Sequence, residues 1–297
     1  MNDARPDASV VDYLKSLPLY LLPHHALSRL MYALTRVRTA WFKNTFIRWF
    51  SRRFDIDWQE AESPRPQDYE HFNAFFTRRL KDGARPVEGG DDCLVSPADG
   101  RISQLGAVEA GRILQAKGRR FTATALLGGD PGRARRFEDG RFMTVYLSPR
   151  DYHRVHMPVR GRLLETVYVP GRLFSVAPHT TRVVPGLFAR NERLVCLFDT
   201  DAGRMALVLV GAIFVAAIET VWAGLVTPPH RRRIEVTDYR DAGIELPRGA
   251  EMGRFNMGST VILLFEDQRV AWADGLAADQ PLRTGRQIGR ILTPEAG

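Results

Sequence analysis

The chain has 297 residues, with 42 Lys and Arg against 34 Asp and Glu and a formal charge of +8. Its 44% hydrophobic content excludes a disordered chain, and its 18 Pro and 25 Gly follow no collagen-like period. Cys93 and Cys196 are the only cysteines and form no CxxC pair. This excludes a disulfide scaffold, argues against structural zinc and fits a reducing compartment.

The first 60 residues read as a helical arm. The acidic, polar start MNDARPDASV leads into no apolar stretch with a small-residue cleavage site, so no secretory signal is expected. Pro18 and Pro23 divide a short first helix from one longer basic helix. Residues 26–53 hold Arg29, Arg36, Arg38, Lys43, Arg48, Arg52 and Arg53 and no acid, nearly the whole charge excess. Leu27, Leu30, Leu34, Val37 and Trp41 recur there at helical spacing, and Phe42, Phe46, Trp49 and Phe50 continue on a shifted face. A basic helix with aromatic residues on its apolar side suits a membrane interface. The same pattern also fits a helix packed on the protein's own core. Nucleic acid is not expected, because no recognition motif accompanies the charge.

Residues 61–67 form a proline-containing connector, and a short helix is expected over Asp68–Leu80 with Phe72, Phe75 and Phe76 on one side. From about residue 91 the texture becomes β-rich. Phe142–Leu147, Leu163–Val169, Leu194–Phe198, Ala206–Ile218 and Thr260–Phe265 read as strands between Gly, Pro and Asp breaks. The apolar run Met205–Ile218 is short of the ~20 residues a spanning helix needs, and its Val and Ile content around Gly211 favours two buried strands. No βαβ rhythm and no GxGxxG appear, which excludes a dinucleotide fold. The predicted class is α+β: a β-rich, mostly antiparallel catalytic domain (61–297) preceded by an amphipathic arm (1–60).

Three segments can carry chemistry. Ser96-Pro-Ala-Asp-Gly100 places Asp99 in a turn. Asp151-Tyr-His-Arg-Val-His-Met-Pro158 carries His153 and His156 without the HExxH zinc signature, so no metal is expected. Residues three apart face opposite sides of a strand, so if both histidines serve one site this segment is not a regular strand. Phe255-Asn-Met-Gly-Ser-Thr260 places Ser259 after Gly258. A serine can attack the uncrowded carbonyl of a preceding glycine in an N→O acyl shift, given a neighbouring base such as a histidine oriented by an aspartate.

Taken together, SPADG (96–100), DYHRVHMP (151–158) and GST (258–260) resemble the phosphatidylserine decarboxylases. So do GRLFSV (171–176), PGLFARNERLVCLFDT (185–200), VGAIFVAAIETVWAG (210–224) and GAEMGRFNMGSTVILLF (249–265), in consistent order from roughly residue 60 to 275. The longer bacterial, membrane-associated branch is the nearest likeness. Two positions depart from the family's pattern: Met257 stands for Leu, and Ala177 for an Asn of many relatives.

The resemblance implies a proenzyme that cuts itself between Gly258 and Ser259, giving a β chain (1–258) and an α chain (259–297). Asp99, His156 and Ser259 would form the processing triad. The ester made by Ser259 would eliminate to dehydroalanine, which hydrolyses to a pyruvoyl group and ammonia. That covalent, self-made cofactor would form a Schiff base with phosphatidylserine and act as electron sink, with neither pyridoxal phosphate nor a metal. His153 would serve decarboxylation as a substrate-contact or proton-transfer group. The implied product is phosphatidylethanolamine, the implied assembly a homodimer, and the implied location the cytoplasmic face of the inner membrane. Rival readings are a pyruvoyl decarboxylase of a soluble acid, a serine hydrolase without a GxSxG elbow, and a non-catalytic membrane-binding module.

Overall fold

The computed structural model describes residues 8–214, 217–228, 230–256 and 259–292. The Val- and Leu-rich runs assemble into a nine-stranded sheet whose described pairings are antiparallel. Its path is Glu235–Asp238, Gly161–Val169, Arg193–Thr200, Gly203–Val210, Ser259–Phe265, Arg141–Leu147, Gly100–Ala107 and Pro281–Leu282, with Glu245–Leu246 also on Gly161–Val169. Ser259–Phe265, here the serine strand, lies mid-sheet with all seven residues buried. A continuous apolar run is what a strand covered on both faces requires. Helices precede and decorate this sheet, so the class is α+β as expected.

Four expected strands form with at most two residues added at either end. The run Ala206–Ile218 is divided into two strands, as its composition around Gly211 predicts: one ends at Val210 and the next starts at Ile218. The carbonyl of Gly211 is taken by the Asn191 side-chain amide (2.9 Å), which ends the ladder there.

A smaller four-stranded sheet joins Gly224–Thr227, Ile218–Thr220, Glu251–Phe255 and Arg154–His156 in that order. The last of these, the histidine strand, is only three residues long, with a register shift opposite it between Glu251 and Gly253. His153 precedes it and His156 ends it, so the segment is neither a pure loop nor a long regular strand.

The arm forms helices α1 (Val10–Ser16), α2 (His24–Leu34) and α3 (Ala40–Phe54). The single long basic helix expected after Pro23 is interrupted at residues 35–39. The carbonyl of Thr35 accepts from the Asn73 N–H (2.9 Å), and the Thr35 and Arg36 side chains both bond the Tyr32 carbonyl. The helix expected over Asp68–Leu80 shrinks to α4 (Phe72–Phe76). His71 caps its start by accepting the Ala74 N–H (3.0 Å), and buried Arg154 takes the Thr77 carbonyl (2.9 Å) at its end.

Ile47 and Phe50 of α3 pack with Phe72, Phe75 and Phe76 into a satellite aromatic core. Phe46 stacks on Phe72 with centroids 4.2 Å apart. The opposite surfaces of the arm are apolar and open. Val10, Leu14, Leu21, Leu30, Trp41 and Trp49 are all more than half exposed, while α2 turns His24 and Ser28 inward. Helix α1 is tied down by a two-bond ion pair from Arg182 to Asp12 (2.9 Å each), which holds the Asp12 carboxyl well below the usual carboxylate range.

The two faces of α3 predict opposite effects of truncation. Phe50→Ala is expected to lower unfolding free energy by about 3 kcal/mol, whereas Trp49→Ala is expected to change it by less than about 0.5 kcal/mol. Denaturant titration of both variants checks this; equal losses would mean that the buried face is assigned wrongly.

Candidate active site

The fold gathers the three motifs around the histidine strand. The His156 N–H donates to the Pro97 carbonyl of the SPADG turn (2.8 Å), and the Phe255 N–H donates to the His153 carbonyl (3.0 Å). One edge of the histidine segment therefore holds the turn bearing Asp99, and the other holds the chain that leads to Ser259. Gly258 itself lies outside the described residues, as does Met257. Gly100 is obligatory in its turn: a Cβ there would stand 2.2 Å from the Tyr146 carbonyl oxygen.

Ser259 opens the serine strand opposite Leu147, and its buried hydroxyl has no hydrogen-bond partner among the described residues. The adjacent Thr260 hydroxyl is also buried and unpartnered. Asp99 sits at the same end of the sheet, since the following Arg101 pairs with Tyr146 and Tyr146 with Thr260. Two strand spacings, about 10 Å, separate the backbones of these neighbourhoods.

Asp99 is gripped by a residue that the sequence did not single out. Arg85 donates from Nε to Oδ1 (2.9 Å) and from Nη2 to Oδ2 (2.6 Å), and the Thr284 N–H adds a bond to Oδ1 (2.8 Å). Arg85 also bonds Glu60 (2.7 Å), which pairs with Arg283 (3.0 Å). Arg85 lies 14 positions before Asp99 with no local pattern to mark it. This network borders a cavity of about 600 Å³ lined by Arg78, Arg85, Asp99, Tyr146, Asp151 and Tyr152, among others.

The two histidines differ in what occupies their rings. His156 Nδ1 donates to the Gly249 carbonyl (2.8 Å), so its Nε2 lone pair accepts the Tyr152 hydroxyl (3.1 Å). Burial pushes its pKa below the ordinary histidine value, with smaller opposing pulls from the Gly249 carbonyl, then Glu251 and, least, Asp99. The ring is therefore neutral at neutral pH. Tyr152 lies inside the histidine motif, yet only this contact reveals its part.

His153 is fully buried, with its ring 4.1 Å from that of Phe76. Its Nδ1 donates to the Asp151 carbonyl (2.7 Å), which leaves a buried Nε2 lone pair without a partner. Burial lowers its pKa to about 3. The direct bonds of an Asp99–His156–Ser259 relay are not made in this state: both ring nitrogens of His156 have other partners, and the Ser259 hydroxyl has none.

The remaining partners are polar bridges. Asn256 donates to Glu219 (3.1 Å) and accepts from Asn73 of α4 (2.6 Å), which ties the approach to Ser259 to the arm-facing helix. Ala177 occupies the N-cap of the helix Pro178–Val183 with no side-chain cap bond. An asparagine at this position would cap that helix with its side-chain oxygen, a bond worth about 1 kcal/mol.

His153 makes the fold acid-sensitive in a defined direction. Below pH 6.5 the unfolded chain gains a proton on this residue that the folded chain refuses until about pH 3. Stability therefore falls as pH drops through that window, by on the order of 1 kcal/mol per pH unit. His153→Gln is expected to flatten the decline in unfolding free energy between about pH 6 and pH 4; an unchanged slope would rule this out.

Comparisons with known proteins find relatives along nearly the whole chain. A family model described as phosphatidylserine decarboxylase matches residues 72–290, and one described as PSD matches residues 14–55. The phosphatidylserine decarboxylase proenzyme of Stutzerimonas stutzeri is 58% identical over 288 residues, covering 96% of this chain and 97% of its own. That of Pseudomonas fluorescens is 57% identical over 273 residues (91% and 94%), and that of Pseudomonas aeruginosa is 59% identical over 269 (90% and 93%). The ordered motifs, the matching model and relatives aligned nearly end to end place the chain in one family: it belongs to the phosphatidylserine decarboxylases.

Proposed function

We propose that this chain is made as a proenzyme that cuts itself between Gly258 and Ser259, and that the mature form decarboxylates phosphatidylserine to phosphatidylethanolamine through a pyruvoyl group made from Ser259. The observation that carries this reading is the Ser259 hydroxyl, buried and unpartnered at the head of a wholly buried strand. Leaving a buried hydroxyl without a hydrogen bond costs about 1–3 kcal/mol, and chemistry at that atom accounts for it. A pyruvoyl group fits the position, because it has no donor to satisfy. When formed, it supplies an electrophilic carbonyl for the substrate amine and an electron sink for the carbon that loses CO₂.

His156 is the base for the first step. It is neutral, and its Nδ1–H is fixed by the Gly249 carbonyl. Its Nε2 becomes free to take the Ser259 proton once Tyr152 releases it, and the nearby Asp99 charge favours the resulting imidazolium. His153 then serves the decarboxylation step as a proton-transfer or substrate-contact group. One observation favours the opposite division: the His153 Nε2 lone pair is already unpartnered.

The arm brings the enzyme to its lipid. No described helix is long and apolar enough to cross a membrane. The outward Leu30, Trp41 and Trp49 lie among the seven cations of residues 26–53. Each well-placed cation adds roughly 1 kcal/mol at an anionic surface. The reading is a peripheral protein on the cytoplasmic face of the inner membrane, with residues 1–60 as its attachment and the homodimer of the family resemblance as its assembly.

Intact mass under denaturing conditions tests the processing. The α chain has 297 − 258 = 39 of the 297 residues, so the 33.5 kDa chain is expected as fragments of about 29 and about 4 kDa, the smaller one blocked at its N-terminus. Ser259→Ala is expected to stay whole and inactive; its cleavage would refute the assignment. His156→Ala is expected to stay whole, and His153→Ala to be cut yet turn over poorly; the reverse result would exchange the two roles.

Vesicle flotation tests the arm. Wild type is expected to bind phosphatidylserine-containing vesicles in a salt-sensitive way, and Trp41→Ala/Trp49→Ala to bind several-fold more weakly. Equal binding by the variant would remove these tryptophans from the membrane contact.

A further inference from the structure

Away from the site just described, a second cluster of chemical groups joins the arm to the sheet. His25 in α2, Glu192 at the start of the strand Arg193–Thr200, and His230 each present one ligand atom, all within 4.8 Å of one another. The two imidazole rings lie 4.7 Å apart, centroid to centroid.

The hydrogen bonds settle which nitrogens carry protons. His25 Nε2 donates to the Gly171 carbonyl (2.9 Å), so its Nδ1 holds the lone pair, and that atom is buried without a partner. His230 Nδ1 faces the Glu192 carboxylate (2.8 and 3.0 Å), and its Nε2 is likewise buried without a partner. His25 thus presents an unused lone pair, and His230 a ring nitrogen with no partner among the described residues, beside a carboxylate whose side chain is 3% exposed. A histidine nitrogen oriented by a bond from its other nitrogen to a carbonyl or carboxylate is how proteins set imidazole ligands for a metal. A buried carboxylate also calls for a compensating positive charge.

We infer that His25, Glu192 and His230 form a binding site for one borderline transition-metal dication of the Zn²⁺ type, which staples α2 to the sheet. Two imidazoles and one carboxylate match the ligand preference of such ions and not that of Mg²⁺ or Ca²⁺, which take oxygen ligands. Ligand atoms around tetrahedral zinc stand about 3.4 Å apart, so the longest separation closes by up to about 1.4 Å on binding, and water completes the shell. Where the ion takes the nitrogen that now faces Glu192, the proton there is released to solvent.

The position gives the staple a consequence. The Glu192 carbonyl accepts the Gly211 N–H (2.9 Å), and the preceding Val210 pairs with Thr260 beside Ser259. The ion therefore fixes the arm to the sheet end that carries the reactive serine. No local spacing announces the site, because 38 positions separate Glu192 from His230 and His25 is far from both.

The test uses tag-free, full-length protein freed of metal by a chelator. Zn²⁺ is titrated in competition with a chromophoric chelator, and Co²⁺ is added separately as a spectroscopic probe. Wild type is expected to bind about one equivalent, with Co²⁺ giving the intense visible bands of a four- or five-coordinate nitrogen-containing site. His25→Gln and His230→Gln are each expected to weaken Zn²⁺ binding at least about tenfold, while His179→Gln leaves it unchanged. Zinc is expected to raise the Tm of wild type and not that of the double variant His25→Gln/His230→Gln. No saturable binding by wild type, only weak octahedral Co²⁺ bands, or full affinity in the double variant would each overturn the proposal. If circular dichroism shows the variants unfolded, the wild-type stoichiometry and Co²⁺ spectrum decide alone.

Discussion

Two backbone hydrogen bonds, His156 N–H to the Pro97 carbonyl and Phe255 N–H to the His153 carbonyl, hold the site together. They clamp a three-residue strand between a turn near position 99 and the chain approaching position 259. Neither bond involves a reactive side chain. Each nevertheless fixes the origin of a candidate site side chain, and the side chains then differ through what surrounds them. His156, at the rim of this clamp, finds a carbonyl and a phenol. His153 finds the ring of Phe76 on one side and a single carbonyl on the other. Burial lowers the pKa of both histidines, that of His153 to about 3, and at His156 the Gly249 carbonyl and the Glu251 charge oppose it.

The charge network around Asp99 follows the same logic. A carboxylate with little exposure is stable only if it is paired and hydrogen-bonded, and Arg85 with the Thr284 N–H meets that demand. Because Arg85 is shared with Glu60, the last residue of the arm region is coupled to the turn that bears Asp99. The arm is thus joined to the catalytic sheet by several contacts of different chemistry. These are the Asp12–Arg182 ion pair, the aromatic cluster that packs α3 on α4, itself tied on by the Asn73–Asn256 bond, and the His25–Glu192–His230 group.

The arm also shows how one stretch serves two environments. The break at residues 35–39 rotates α3 relative to α2, so Ile47 and Phe50 turn inward while Leu30, Trp41 and Trp49 stay outside. An apolar exterior over a helix that buries His24 and Ser28 reverses the usual pattern of a water-facing helix. Paired with an acid-free run of cations, it is the surface expected of a segment whose outer solvent is the lipid interface.

The sequence by itself determined the elements whose signals are local and periodic. The unbroken apolar run after Ser259 could only be a buried strand, the β-rich texture after residue 91 fixed the α+β class, and the ordered motifs fixed the family. It also offered Asp99, His153, His156 and Ser259 as the candidate reactive set. Only the tertiary structure decided what depends on partners distant in the chain. Asn73 and Arg154 set where helices stop, by claiming the carbonyls of Thr35 and Thr77. Arg85 was invisible because its role exists only in the carboxylate it grips, and the same holds for His25 and His230. Burial, finally, separated His153 from His156. Hydrogen-bond completion and desolvation are properties of the packed neighbourhood, and no spacing along the chain encodes them.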